Sequence, residues 1–309
     1  GTSARFNIPR SMTTDGTNLY VADSSNHTIR KIVISTGAVT TFAGSPGSWG
    51  YTDATGTSAR FRDPKAITTD GTNLYVADSS NNKIRKIVIS TGAVTTFAGS
   101  GAGSTDGTGT SAKFYSPRGI TTDGTNLYVT DYYNHRIRKI IISTGVVTTL
   151  AGSSQGSNDG TGTSAKFNIP RGITTDGTNL YVADSSNHKI RKIVIATGVV
   201  TTLAGSTSHG STNGTGTAAK FSNPREISTD GTNLYLADTG NHKIRKIVIS
   251  TGVVTTLAGS GSAGSADGTG TSASFNSPRG ITIDGNNVYV GDSHKIRKIA
   301  LRGTVTEAV

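Results

Sequence analysis

Apolar residues in this chain come in short β-branched or aromatic runs, and the gaps between runs are filled by Gly, Asn, Asp, Thr and Ser. One stretch near the middle shows the pattern. Arg171-Gly172-Ile173-Thr174-Thr175 is closed by Asp176-Gly177, and Asn179–Asp184 (NLYVAD) leads into the polar segment Ser185–His188. Lys189–Ile195 is a third run, Thr197-Gly198 a second turn and Val199–Leu203 a fourth run. β-Formers bounded by turn residues predict four short strands joined as hairpins. No segment holds a helical period over a useful length. Apolar side chains occupy both parities of the second and third strands: Leu180 and Val182 against Tyr181, Ile190 against Ile193 and Ile195. Strand residues alternate between faces, so both faces are expected to be covered, as in sheets that stack on one another.

The unit recurs six times. Phe6, Phe61, Phe114, Phe167, Phe221 and Phe275 mark its phase, with spacings of 55, 53, 53, 54 and 54. Six stacked four-stranded sheets predict an all-β fold, a six-bladed β-propeller with four antiparallel strands per blade. The expectation is one domain over 1–309, with blades at about 1–45, 58–100, 111–153, 164–206, 218–260 and 272–309. Residues 303–309 align with the fourth strand, and the first copy starts with its own first strand near Arg10. Each blade is therefore contiguous, and the ring closes by packing blade six on blade one. An open array would leave two apolar end faces, and no capping repeat is visible. Gly/Ser loops link the blades at 44–58, 99–111, 152–164, 205–218 and 259–272, and their shared ending is read as a fixed turn that leads each phenylalanine into a seam. The Asp-Gly in that ending (Asp159-Gly160, for example) is read as part of the turn, because one carboxylate is far short of a calcium ligand set.

Composition changes the picture in three ways. Hydrophobic content of 33% and charged content of 16% are low, but the regular recurrence of apolar runs argues for strands and turns, not disorder. Thirty Lys and Arg against 19 acidic residues give a formal charge of +11, which permits nucleic acid, acidic glycans or an anionic membrane surface as partners. A solvated cationic surface is the plainer reading. There are no cysteines, which excludes disulfides, thiolate metal sites and cysteine nucleophiles. No signal peptide or membrane span is visible, and a chain opening at Gly1 implies an upstream segment that was removed or never included. The Thr/Ser/Asn/Gly-rich, cysteine-free repeats fit a bacterial exported protein, extracellular, periplasmic or on the cell surface, acting as a monomer.

Pro170-Arg171-Gly172-Ile173, Asn179-Leu180-Tyr181-Val182-Ala183-Asp184 and Asn187-His188-Lys189-Ile190-Arg191-Lys192 together resemble the NHL repeat, and the resemblance recurs over essentially the whole chain. It implies a six-bladed propeller, in agreement with the strand count. It does not imply one activity, because such propellers include RNA-binding, protein-interaction and sensor domains and a lyase. Two departures stand out: blade six shortens the second turn to Asp292-Ser293-His294, and Asn82 replaces the His27, His135, His188, His242 and His294 of the other blades.

Candidate chemistry lies in two places. Arg10, Lys65, Arg118, Arg171, Arg225 and Arg279 follow the repeat prolines, where each interblade loop enters the innermost strand beside the channel mouth. They could form a cationic ring for an anion or a phosphate backbone. The alternative, favoured because repeated features serve the repeat first, pairs them with Asp23, Asp78, Asp131, Asp184, Asp238 and Asp292. Departures from the repeat mark the second place: Trp49, Tyr51, Tyr115, Tyr132 and Tyr133, expected on the same face around blades two and three. Exposed aromatics bind sugars or peptides, and drift in tolerant loops is the competing account. The repeated Lys-Ile-Arg-Lys segments are expected to lie along blade flanks with their charged heads in water, and the repeated tyrosines to be core. The histidines read as turn caps, not metal ligands, and no catalytic or zinc-ligand spacing stands out. The sequence thus points first to a non-enzymatic binding or scaffold module for a protein, peptide or glycan, with no cofactor and no metal. An RNA-binding propeller using the basic ring comes second and a lyase-like enzyme third.

Overall fold

The computed structural model describes residues 4–301 and 304–308. Blade four has strands Pro170–Thr175, Asn179–Asp184, Lys189–Val194 and Val199–Gly205, in that order from the channel outward. The other five sheets repeat this antiparallel meander, giving a six-bladed propeller. In blades one to five the first hairpin is fixed by its aspartate. Asp176 accepts from the Thr178 and Asn179 N–H groups at 2.9 and 2.6 Å and from the buried Tyr181 hydroxyl at 2.8 Å. That Asx turn explains why a tyrosine can sit mid-strand in the core: its hydroxyl has a partner at the turn.

Parity assigns the seams. Leu180, Val182 and Ile193 face blade three, where Phe167 sits among them with Tyr128 and Ile137. Tyr181, Ala183 and Ile190 face blade five and Phe221. Burying each such side chain contributes about 1.5–3 kcal/mol, so the seams hold the ring together. Phe6, Met12, Leu19 and Val21 of blade one share a cluster with Tyr289 and Ile296 of blade six, so the ring closes by face-to-face packing with no strand exchanged. The last fourth strand is Thr304–Glu307; Gly303 and Val309 lie outside the described residues.

Three features differ from the sequence expectation or sharpen it. Blades two to six gain a fifth, two-residue strand from the loop before them. Gly160–Thr161, for example, pairs with Val199–Val200 ahead of a one-turn 3-10 segment, Gly162–Ser164. Four of the five repeat histidines do cap turns in the left-handed region, Ser293 taking that backbone in blade six, and these four also staple blades. Nδ1 of His27, His135, His188 and His242 accepts the N–H of Asp63, Ile169, Asn223 and Ser277 in the next blade at 3.0–3.1 Å. Asn82 makes the same bond to Ser116 through Oδ1 at 2.8 Å.

The aspartate pairing is a correction. Asp23, Asp78, Asp131, Asp184, Asp238 and Asp292 bind Arg30, Arg85, Arg138, Arg191, Arg245 and Arg297 of the third strands, not the residues after the prolines. Five of these arginines are fully buried, so their heads are not in water as expected. Arg138 is typical. Nη1 donates to Asp131 at 2.8 Å and to the Lys113 carbonyl at 2.9 Å; Nη2 donates to Asp106 at 2.7 Å and to the Thr105 carbonyl at 3.1 Å. Register explains the choice. Asp131 stands opposite Arg136, and Arg138 lies two residues on, on the same face, within diagonal reach. The interblade aspartates Asp53, Asp106, Asp159 and Asp267, the last three in Asp-Gly pairs, are thus arginine clamps.

Candidate functional site: a cationic mouth with aromatic flanks

The residue before each repeat proline, Ile8, Asp63, Ser116, Ile169, Asn223 or Ser277, has φ between 47° and 57°. Even the β-branched Ile8 and Ile169 adopt this left-handed backbone, which the surrounding seam must enforce. The turn carries the chain from the seam to the channel and sets the next basic side chain at its mouth. Arg10, Lys65, Arg118, Arg171, Arg225 and Arg279 accordingly line one cavity, together with Glu226. With the repeat aspartates committed elsewhere, no lattice carboxylate neutralises them. Among the described residues, Lys65 alone of the six has an acidic partner, Asp63 two residues before it.

Burial, and after it mutual repulsion, lowers the pKa of several ring members. Burial, then repulsion from Arg171, Arg279, Arg10 and Arg118, brings Arg225 down to about 8. Arg10 is lowered to about 10 by burial and by Arg279, and Arg171 to about 10 by burial and by Arg118. Lys65 falls to about 7, through burial first and Arg10 second, with Asp63 opposing. Positive charge is therefore held here against its own repulsion, an arrangement suited to receiving an anion. Below the ring, the channel is walled by Met12, five isoleucines and a tier of hydroxyls from Thr13, Thr68, Thr121, Thr174, Ser228 and Thr282, around a cavity of about 150 Å³.

The aromatics flank the mouth in two groups. Trp49, 62% exposed, stacks on the Arg62 guanidinium at 4.4 Å, and Tyr51, 67% exposed, lies beside Lys83. Trp49 borders a cleft of about 490 Å³ that also contains Arg10 and Lys65, so it opens directly onto the ring. At blade three, Tyr115 and Tyr133 are 46% and 48% exposed and pack with centroids 4.8 Å apart. Tyr132 is buried, which departs from the expectation of five exposed rings. It is wedged among the ring cations: the Arg118 guanidinium lies 3.7 Å above it, and Arg171 donates to its hydroxyl at 3.3 Å. Tyr132 therefore orients two members of the ring.

Glu226 is the residue that sequence reasoning underweighted. Its place is taken by Ser11, Ala66, Gly119, Gly172 and Gly280 in the other blades. At Gly119 and Gly172 a Cβ would come within 2.1 and 2.4 Å of the next blade's carbonyl oxygens, so that position is tight against the neighbouring strand. Glu226 nevertheless reaches both the ring and the channel below it, and burial pushes its carboxyl well above the ordinary carboxylate range. Among the described residues no group of three or more His, Cys, Asp or Glu side chains is placed to hold a metal ion, and no helix is long and apolar enough to cross a membrane.

The family model of the NHL repeat matches residues 114–140, which run from the seam phenylalanine of blade three to its third strand. Human NHL repeat-containing protein 2 is 31% identical over 294 residues, covering 82% of this chain and 40% of that protein. The chain belongs to the NHL-repeat propellers. It spans 28–46% of the length of the curated relatives it matches. Solved structures share the fold at low identity. An auxiliary nutrient binding protein from Bacteroides thetaiotaomicron superposes with a TM-score of 0.72 at 17% identity, over 99% of this NHL chain and 70% of that one. Virginiamycin B lyase from Staphylococcus aureus gives 0.56 at 16% identity, over 98% of each chain.

Proposed function

We propose that this propeller is a non-enzymatic binding module that takes a peptide or glycan across the face bearing the channel mouth. The observation that carries the reading is the exposure of Trp49, Tyr51, Tyr115 and Tyr133, all departures from the repeat, with Trp49 and Tyr51 set against Arg62 and Lys83 and Tyr133 packed on Tyr115 and Tyr132. Large exposed rings cost solubility unless a partner covers them, and rings of this kind anchor binding hot spots. A structural neighbour described as a nutrient binding protein supports a binding role, and an exported location fits the cysteine-free composition. Neighbours described as lyases keep an enzymatic role as a competitor. The test is an array of defined glycans and of acidic and neutral peptides, probed with the protein and with Trp49→Ala, Tyr115→Ala and Tyr133→Ala. Capture of a defined ligand that falls at least about tenfold in each variant, with unfolding temperatures unchanged, supports the proposal. Capture indifferent to all three substitutions overturns it.

The charge of the mouth favours nucleic acid as a second reading. Single-stranded RNA binding that survives physiological salt and is lost in Arg118→Ala and Arg171→Ala would put it first.

A further inference from the structure

We propose that the mouth is a built site for one compact tetrahedral oxyanion, a phosphate or phosphoryl group. Four observations converge on it. First, six basic side chains face one cavity while the repeat carboxylates are spent on other arginines. Second, among the described residues the guanidinium groups of Arg10, Arg118 and Arg225 donate to no protein acceptor, and their Nε atoms are buried without a partner. The lattice arginines also leave Nε unpaired, but five of the six, Arg30 excepted, satisfy both Nη atoms on carboxylates, amides and carbonyls. Third, the ring is pre-organised: Tyr132 holds Arg118 and Arg171 from one side, and Asp63 holds Lys65 from another.

Fourth, the space is small. The cavity is about 20 Å³, against the ~10–15 Å³ that a single water needs. That is less room than a phosphoryl group fills, so the anion would sit across the mouth with its oxygens reaching down to the ring, and no polymer can run through. Guanidinium forks match the paired oxygens of a phosphoryl group with two parallel N–H···O bonds, a geometric match that a single spherical halide lacks. A nucleic-acid backbone is disfavoured by the same geometry, since consecutive phosphates need a groove. The site stands independently of the peptide or glycan reading, because none of the four exposed rings lines the cavity.

The test is isothermal titration calorimetry of the intact protein with inorganic phosphate, against sodium chloride at matched ionic strength. The expected result is saturable binding with one phosphate per chain, weakened at least about tenfold in Arg225→Gln and unchanged in Lys113→Gln, whose charge lies in an interblade loop. A parallel titration with glycerol phosphate identifies the source. Exclusion of the ester points to free phosphate, and equal or tighter binding points to a phosphorylated ligand presenting its terminal group. No saturable heat at millimolar phosphate beyond the chloride control, or equal binding by Arg225→Gln, overturns the proposal. Misfolding is not expected to confuse the reading, since that substitution removes repulsion from the ring. Array capture without phosphate binding would sink this site alone, and the converse would sink the peptide or glycan reading alone.

Discussion

Replacing Arg138 by methionine tests whether the third-strand arginines are the true partners of the repeat aspartates. The change removes a fully buried guanidinium and leaves Asp131, also fully buried, with only the Tyr115 N–H and the Asn134 amide as donors. Breaking one side of a buried ion pair costs about 3–5 kcal/mol. With an unfolding entropy of about 2.1 cal/mol/K per residue, 309 residues give roughly 0.65 kcal/mol/K, so the melting temperature should fall by about 5–8 °C. The outer half of the same clamp makes the control. Asp106 is 48% exposed, so its pair with Arg138 is screened by water and worth about 0–1 kcal/mol. Blade five already dispenses with that charge, since Arg245 donates to Asn213 Oδ1 at 2.8 Å. Asp106→Asn should therefore lower the melting temperature by no more than about 1–2 °C. Differential scanning calorimetry of the two variants at pH 7 decides it. Equal losses, or an Arg138→Met protein melting with the wild type, would refute the reasoning.

Other outcomes follow from the same contacts. Burial holds the His135 and His188 imidazoles below their usual 6.5, so the unfolded chain takes those protons first. Their stapling contribution is present above about pH 6.5 and is lost as pH falls through the folded-state values. Burial pushes Asp184 up to about 6, which works in the opposite sense, its contribution being present below about 3.8 and lost as pH rises through about 6. The test is accordingly a difference: His135→Asn, copying Asn82, should flatten the fall in melting temperature between pH 7.5 and 5, and an unchanged slope would count against the staple. Gly152→Ala should destabilise by more than about 2 kcal/mol, because φ is 88° and a Cβ would sit 2.4 Å from the His135 carbonyl oxygen. At Gly124, also at 88° but with open space around the new atom, the same change should cost only about 1 kcal/mol of strain, measurable by urea unfolding.

Much of the fold was legible because repetition multiplies a weak signal. Parity in NLYVAD and KIRKIV showed that both faces of these strands are covered, since strands allow only two faces. The mouth was legible too, because each basic residue follows a proline that starts an innermost strand. The aspartate partner was misread for a reason that sequence spacing hides: two basic positions per repeat compete for one carboxylate, and only the register of the second hairpin says which reaches it. Counting across the turn from Asp131 to Arg136 and then two residues on would have found Arg138. Tyr132 was indistinguishable from Tyr133 in sequence, because adjacent turn residues take opposite fates in a 3-10 turn. The edge strands were missed because two-residue pairings carry no periodicity of their own.

The most direct measurement compares Arg225→Gln with Arg245→Gln by thermal unfolding in phosphate-free, low-salt buffer. Arg225 faces its like-charged neighbours at the mouth, whereas Arg245 is clamped by Asp238 and Asn213. If the mouth is an unneutralised cationic ring, Arg225→Gln melts at or above the wild-type temperature, and Arg245→Gln melts about 5 °C or more below it. A drop in Arg225→Gln as large as that in Arg245→Gln would show that the ring residue is already paired, and would contradict the account.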